Sequence, residues 1–204
     1  MIMLQNILKA IRISVILWLI TGVVYPLLIF GVGQLPALRE KANGSIVYNL
    51  ENKPYGSSLI GQVFTSERYF YTRPSAVRYS QGRQGRPTGV SGASNLATSN
   101  PDLLKRVVDT ANQLRDENVS PIVGDFIYTS GSGLDPHISL RAAQAQIERV
   151  AKARGIRPEE VIPLINRSTD NRFLGIFGEP GVNVLRLNYT LDLNERVSNQ
   201  RRNQ

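Results

Sequence analysis

From Ile13 to Gly33 the chain reads ISVILWLITGVVYPLLIFGVG, 21 residues without a charge. At about 1.5 Å rise per residue, a helix of this length spans roughly 30 Å, the thickness of a bilayer's hydrocarbon core. The run is longer than a signal peptide's apolar core, and no small-x-small cleavage site follows closely. The pattern predicts an uncleaved transmembrane anchor over 13–33, preceded by a short segment, 1–12. Pro26 removes one helix hydrogen bond and predicts a kink. Ser14, Thr21 and Gly22 are small or polar. With Pro26 they mark the face expected to pack against a membrane partner.

Beyond the anchor, apolar residues come in short periodic groups. Ser45–Asn49 and Ser58–Val63 read as strands. Residues 80–101 are rich in Gly, Ser, Asn and Pro and predict a long loop. Asn100 caps a helix opened by Pro101 and Asp102, with Leu104, Val107, Val108, Ala111 and Leu114 on its apolar face and an end near Asn118. DFIYT, 125–129, reads as a strand. Ser139 caps a second helix over 140–154, with Ala143, Ile147, Val150 and Ala151 inward and Gly155 as its stop. A third starts at Pro158 and is interrupted or tightened at Pro163. In Val182–Leu193 the apolar residues Leu185, Leu187, Tyr189, Leu191 and Leu193 alternate, which predicts a half-buried strand. The expectation is α+β: an anchor, then one domain over 34–193 with a mixed sheet and about three helices, then a polar basic tail over 194–204.

Charge refines the placement. Lys9 and Arg12 precede the span without an acid, while Arg39 and Lys41 surround Glu40 after it. The positive-inside rule puts the N-terminus in the cytoplasm and the domain outside. The formal net charge is +8; Lys9 and Arg12 account for two of these, leaving +6 on the rest. Outside the cytoplasm, such a surface suits anionic headgroups or acidic patches on a membrane partner, not nucleic acid. There is no cysteine, so the domain has no disulfides and is held by its core.

The chemistry is sparse. One histidine, no cysteine and no clustered D-x-D pattern leave no zinc or calcium site in view. No G-x-S-x-G surrounds a serine, and no Walker phosphate loop occurs. The candidate left is SGSGLDPHISL, residues 130–140, with the chain's only histidine. Ser130, Gly131, Ser132, Gly133 and Leu134 follow a predicted strand and lead to a helix, an arrangement in which backbone N–H groups attract anions. It lacks the lysine and Mg²⁺-binding acid that phosphoryl transfer needs. The reading preferred from the residues is a rigid connection: glycines for a tight turn, Asp135 before Pro136 as an Asx-type cap, and His137 donating a hydrogen bond that fixes the loop.

Those same residues carry a resemblance. SGSGLDPHIS (130–139) and AAQAQIERVAKARGI (142–156) resemble the C subunit of the Kdp-type potassium-transporting P-type ATPases. So do ITGVVYPLL (20–28), ANGS (42–45), GSSLIGQVFTS (56–66), RPSA (73–76), SNLATSNP (94–101) and GEPGVNVLRLNYTLD (178–192), in order along nearly the whole chain. The resemblance implies a single-pass protein of the bacterial cytoplasmic membrane. It implies a non-hydrolytic subunit, without catalytic or metal residues, that assembles and stabilises a channel-like potassium-binding subunit and a P-type ATP-hydrolysing subunit. It also implies a catalytic chaperone that raises the hydrolysing subunit's ATP affinity, with no tightly bound cofactor and ATP only in a transient complex. At residue level this carries nucleotide contact to Ser130–Leu134 and a structural signature to Asp135, Pro136 and His137. ATP is cytoplasmic, whereas the topology places that loop outside; a role at the outer mouth of the potassium pathway agrees better. Arg83 and Arg86, Asn166–Thr169 and the tail with Arg196, Arg201 and Arg202 depart from the family's pattern. The alternative is a stand-alone membrane-anchored extracytoplasmic binding protein or enzyme that uses SGSGLDPHIS as its ligand loop.

Overall fold

The computed structural model describes residues 2–81 and 90–202; Arg83 and Arg86 of the long loop lie outside them. The chain forms two compact units, 1–46 and 47–204.

The first unit is dominated by the apolar run. Helix α1 (Ile2–Leu19) passes through a π-helical turn (Ile20–Val24) into α2 (Tyr25–Gly33). Met3–Gly33 is long and apolar enough to cross a membrane. Pro26 lacks the N–H that would continue the ladder, and the wide turn just before it absorbs that loss: the Tyr25 N–H reaches back five residues to the Ile20 carbonyl. The Thr21 hydroxyl donates to the Leu17 carbonyl at 2.8 Å, so its polar group is satisfied within the helix. Gly22 lies against the Trp18 indole. Helix α3 (Pro36–Ala42) follows.

Strand β1 (Ile46–Tyr48), at the boundary of the two units, and β2 (Pro54–Ser57) form a two-stranded sheet. Ser58–Val63 is not a strand. The Ser57 hydroxyl accepts the Leu59 N–H and the Ser57 carbonyl the Ile60 N–H, so hydroxyl turn chemistry ends the strand. Helix α4 (Pro101–Asp116) begins where Asn100 accepts the Asp102 N–H at 2.8 Å. Its buried residue is Leu114, whereas Leu104 and Val108 face outward. DFIYT is not a strand either: α5 (Gly124–Ile127) is one helical turn that buries Phe126 and uses Asp125 to accept the Ser139 N–H.

After β3 (His137–Ile138) come α6 (Leu140–Ala145) and α7 (Ile147–Arg154). They divide the single expected helix at Gln146, a turn residue with φ −98° and ψ −7° whose N–H bonds three residues back, to the Ala143 carbonyl. Its carboxamide accepts the Tyr71 N–H and donates to the Tyr71 carbonyl. Gly155, at φ 67°, closes α7 in the left-handed conformation. Helix α8 (Pro158–Arg167) continues through Pro163. Then come β4 (Thr169–Asp170), β5 (Gly181–Asn183) and α9 (Val184–Arg202).

Two expectations fail here. The alternating segment is a strand only over β5; Val184 onward is helix. Val184, Leu187, Asn188 and Leu191 are its buried stripe, at i, i+3, i+4 and i+7. Asn188 reads as polar, which hid the stripe and left the alternation visible. The helix runs on to Arg202, into the segment expected as a polar tail. The sheet is also not mixed: β3-β5-β4 pairs antiparallel on both sides, His137 opposite Asn183 and Thr169 opposite Val182.

The core draws on Phe70, Phe126, Ile138, Val150, Val161, Ile165, Val182 and Leu187. Phe70 enters it from a segment outside any strand. Asn188 of α9 accepts the Phe70 N–H at 2.8 Å and donates to its carbonyl at 3.0 Å. Gln146 does the same for Tyr71, and Arg149 of α7 donates to the Glu67 and Tyr69 carbonyls. Side chains thus stand in for a strand ladder, because buried backbone groups must be paired.

Candidate functional site

The 130–140 loop is held from both sides. The Ser130 N–H donates to the Pro74 carbonyl, and the Ser75 hydroxyl to the Gly133 carbonyl at 2.7 Å. The described part of the long loop covers it: the Gly92 N–H and the Ser91 hydroxyl both donate to the Ser132 carbonyl. Gly133 has φ 68°, and a Cβ there would lie 2.5 Å from the Gly92 carbonyl oxygen and 2.6 Å from Val77. Glycine is required at 133 both by conformation and by space.

The same bonds bear on anion binding. The Ser130 N–H is spent on Pro74, the Gly133 N–H on the carbonyl and hydroxyl of Ser130, and the Leu134 N–H on the Ser132 hydroxyl. Three of the five backbone donors over Ser130–Leu134 are turned inward, and the loop holds no cation. The Gly131 and Ser132 N–H groups are not among those three.

Beyond Leu134 the site becomes a string of alternating charge. Arg73 lies 3.4 Å from one Asp135 oxygen, while the other accepts the His137 backbone N–H at 3.0 Å and faces His137 Nδ1 at 3.5 Å. His137 Nε2 is 2.9 Å from Asp170 Oδ2 on β4, and Arg186 of α9 pairs with that same carboxylate. Pro136 is buried behind the string, and its carbonyl accepts the Val184 N–H. Turn, sheet and helix meet here.

Each ionisation state supports the next. The His137 imidazole is held above its usual range, first by its bond to Asp135, against burial, with Asp170 adding to the effect. By distance the Asp170 contact is the tighter one, and the looser Asp135 contact is reinforced by the backbone N–H bond. Burial would raise Asp135, but the His137 bonds and the charges of His137 and Arg73 outweigh it and hold the carboxyl low. Burial is likewise outweighed at Asp170 by Arg186 and His137. Among the described residues the His137 ring is committed to carboxylates. The hydroxyls of Ser130 and Ser132 lie 3.2 Å from each other. Asp170, Arg186 and Arg73 completed the site unannounced, since nothing local to them in the sequence marks them as partners of His137. No group of three His, Cys, Asp or Glu side chains placed to hold a metal occurs among the described residues.

These parts define a class: an α+β unit whose signature loop is a charge-pinned joint, in a chain that also carries one apolar helix of membrane-spanning length. Residues 7–193 match the family model described as the K+-transporting ATPase, c chain. The chain is 65% identical over 192 residues to the potassium-transporting ATPase KdpC subunit 2 of Nostoc sp., covering 94% of this chain and 96% of that one. It is 61% identical over 202 residues to the KdpC subunit of Anabaena sp., covering 99% and 100%. Identity to the KdpC subunit of Bacillus thuringiensis is 42% over 192 residues, covering 92% and 95%. The chain belongs to the KdpC family, subunits of potassium-transporting ATPases. Its partners are therefore the other subunits of such a complex, and its N-terminal apolar helix fits a single-pass membrane protein.

Proposed function

We propose that this chain is the non-hydrolytic accessory subunit of an ATP-driven potassium uptake complex. It assembles and stabilises a channel-like potassium-binding subunit and a P-type ATP-hydrolysing subunit. The apolar helix anchors it in the bacterial cytoplasmic membrane with the N-terminus inside, packing beside the channel-like subunit through Ser14, Thr21, Gly22 and Pro26. The α+β unit lies outside, at the mouth of the potassium pathway. The observation that carries this reading is family membership over almost the whole chain. The non-hydrolytic part is supported by His137, the only histidine, being committed to Asp135 and Asp170 and so not free as a base. In this reading the chain raises the hydrolysing subunit's ATP affinity within the assembly, with ATP in a transient complex that Ser130–Leu134 contacts.

Deleting the chain from cells that express the other subunits tests the proposal. Potassium-stimulated ATPase activity and recovery of the intact complex are expected to collapse together; unchanged transport and assembly would sink the idea. Orientation has its own test. Ser132 is exposed, and a Ser132→Cys variant in intact cells is expected to react with a membrane-impermeant thiol reagent. Labelling only after the membrane is opened would reverse the topology.

A further inference from the structure

Between β4 and β5 the chain reads NRFLGIFGEP, residues 171–180. Phe173, Leu174, Ile176 and Phe177 are 70%, 73%, 73% and 62% exposed. Single exposed apolar residues are ordinary on a protein surface, but four large ones on a single five-residue turn are not. The turn is also rigid. The Phe173 N–H donates to the Phe177 carbonyl at 2.8 Å, the Phe177 N–H returns to the Phe173 carbonyl at 3.0 Å, and the Ile176 N–H donates to Phe173 at 3.2 Å. Leu174 has φ 53°, a left-handed conformation that a non-glycine residue adopts only under strain. Among the described residues, the four apolar side chains of the turn stay more than half exposed.

Its base is fixed by the site already described. β4 holds Asp170, pinned by His137 and Arg186, and β5 pairs with both β3 and β4. The charge string therefore sets the stem from which the apolar tip projects.

We propose that this turn is a docking element that inserts into an apolar cleft on another protein subunit of the potassium-transporting complex. The inference rests on the accessory-subunit reading above. Two observations favour a protein over the bilayer as occupant. A strained, hydrogen-bonded shape is useful against a partner of fixed shape, where preorganisation lowers the ordering needed on binding; fluid lipid does not reward it. The stem also carries Arg172 and Glu179, both exposed. Anionic headgroups attract cations alone, whereas an apolar centre with a rim of both signs is the anatomy of a protein interface.

The experiment uses the full chain co-expressed with the other subunits. A variant carrying Leu174→Asp and Ile176→Asp changes only exposed side chains, so its thermal midpoint should match the wild type. Its recovery with the partner subunits is expected to fall about tenfold or more, as for apolar anchors at an interface centre. It should remain in the membrane fraction. Wild-type recovery of the variant overturns the docking element while leaving the accessory-subunit reading intact. Failure of the wild-type chain itself to co-purify overturns both. Because the chain has no cysteine, Ile176→Cys gives it a single thiol for a photo-crosslinker in the native complex. An adduct to a partner subunit supports the proposal; adducts to lipid alone, or none, overturn it.

Discussion

His137 lies between Asp135 and Asp170, and each acid leans on an arginine, so one proton changes the balance of five side chains. The pH dependence follows. The native imidazole titrates above the ordinary 6.5, so its contribution is full below 6.5 and is lost as pH rises through the native value. Asp135 and Asp170 titrate below the ordinary 3.8, so theirs is full above 3.8 and is lost as pH falls through the native values. The thermal midpoint should therefore have a plateau between 3.8 and 6.5 and decline as pH rises past 6.5. His137→Gln should remove that near-neutral decline; a slope just above 6.5 that survives the substitution would refute the linkage. Arg154 is the other residue to test. Its side chain is only 2% exposed and it pairs with Asp192 and Glu195. Arg154→Met takes the arginine from both acids, although Glu195 keeps Arg68 and Asp192 keeps the Tyr55 and Tyr69 hydroxyls. Breaking a buried pair costs about 3–5 kcal/mol, and because these acids keep some water the expected loss is about 2–4 kcal/mol by urea denaturation.

At the scale of elements, the segment around Phe70 is the informative case. It lies in the core with no strand beside it, and the carboxamides of Asn188 in α9 and of Gln146 between α6 and α7 pair its backbone. Asn188→Leu keeps volume on the buried face of α9 but leaves the Phe70 N–H and carbonyl unpaired. The expected destabilisation is about 2–4 kcal/mol, at about 1–3 kcal/mol for each unpaired buried group and some relaxation; a loss below the scatter of the denaturation curves would show that water replaces the amide. At the end of α7, Gly155 has open space around it but φ 67°. Gly155→Ala should therefore cost about 1 kcal/mol through conformation alone. These elements also show what was legible. Asn100-Pro101-Asp102, Ser139 and Gly155 mark helix ends correctly, because a cap satisfies backbone groups next to it in sequence. Strands were misread at 58–63, 125–129 and 184–193. Apolar alternation does not say whether a neighbour exists to pair with, and a buried asparagine such as Asn188 breaks the helical stripe that would have corrected the reading.

For the whole molecule, the apolar helix and the α+β unit have separate tasks in the proposed function, and this separation is testable. Removing residues 2–33 should move the protein from the membrane to the soluble fraction on ultracentrifugation. In cells without the other subunits, a truncated chain that still pelleted with membranes would show that the remainder binds them itself. The apolar FLGIF turn makes this measurement informative, since lipid binding through the turn would appear there directly.

The sequence alone determined the membrane-length helix, the caps, the glycine at 133 and the outline of the signature loop. All of these depend on residues near one another in the chain, where covalent geometry and hydrophobic length suffice. Only the tertiary structure decided that 184–202 is a helix and that Asn188 and Gln146 replace a missing strand. It alone decided, too, that His137 meets Asp170, 33 residues away, and Arg186 beyond it. Those outcomes depend on which distant groups burial brings together, and the energy of a buried hydrogen bond or ion pair resides in the pair, not in either residue's place along the chain.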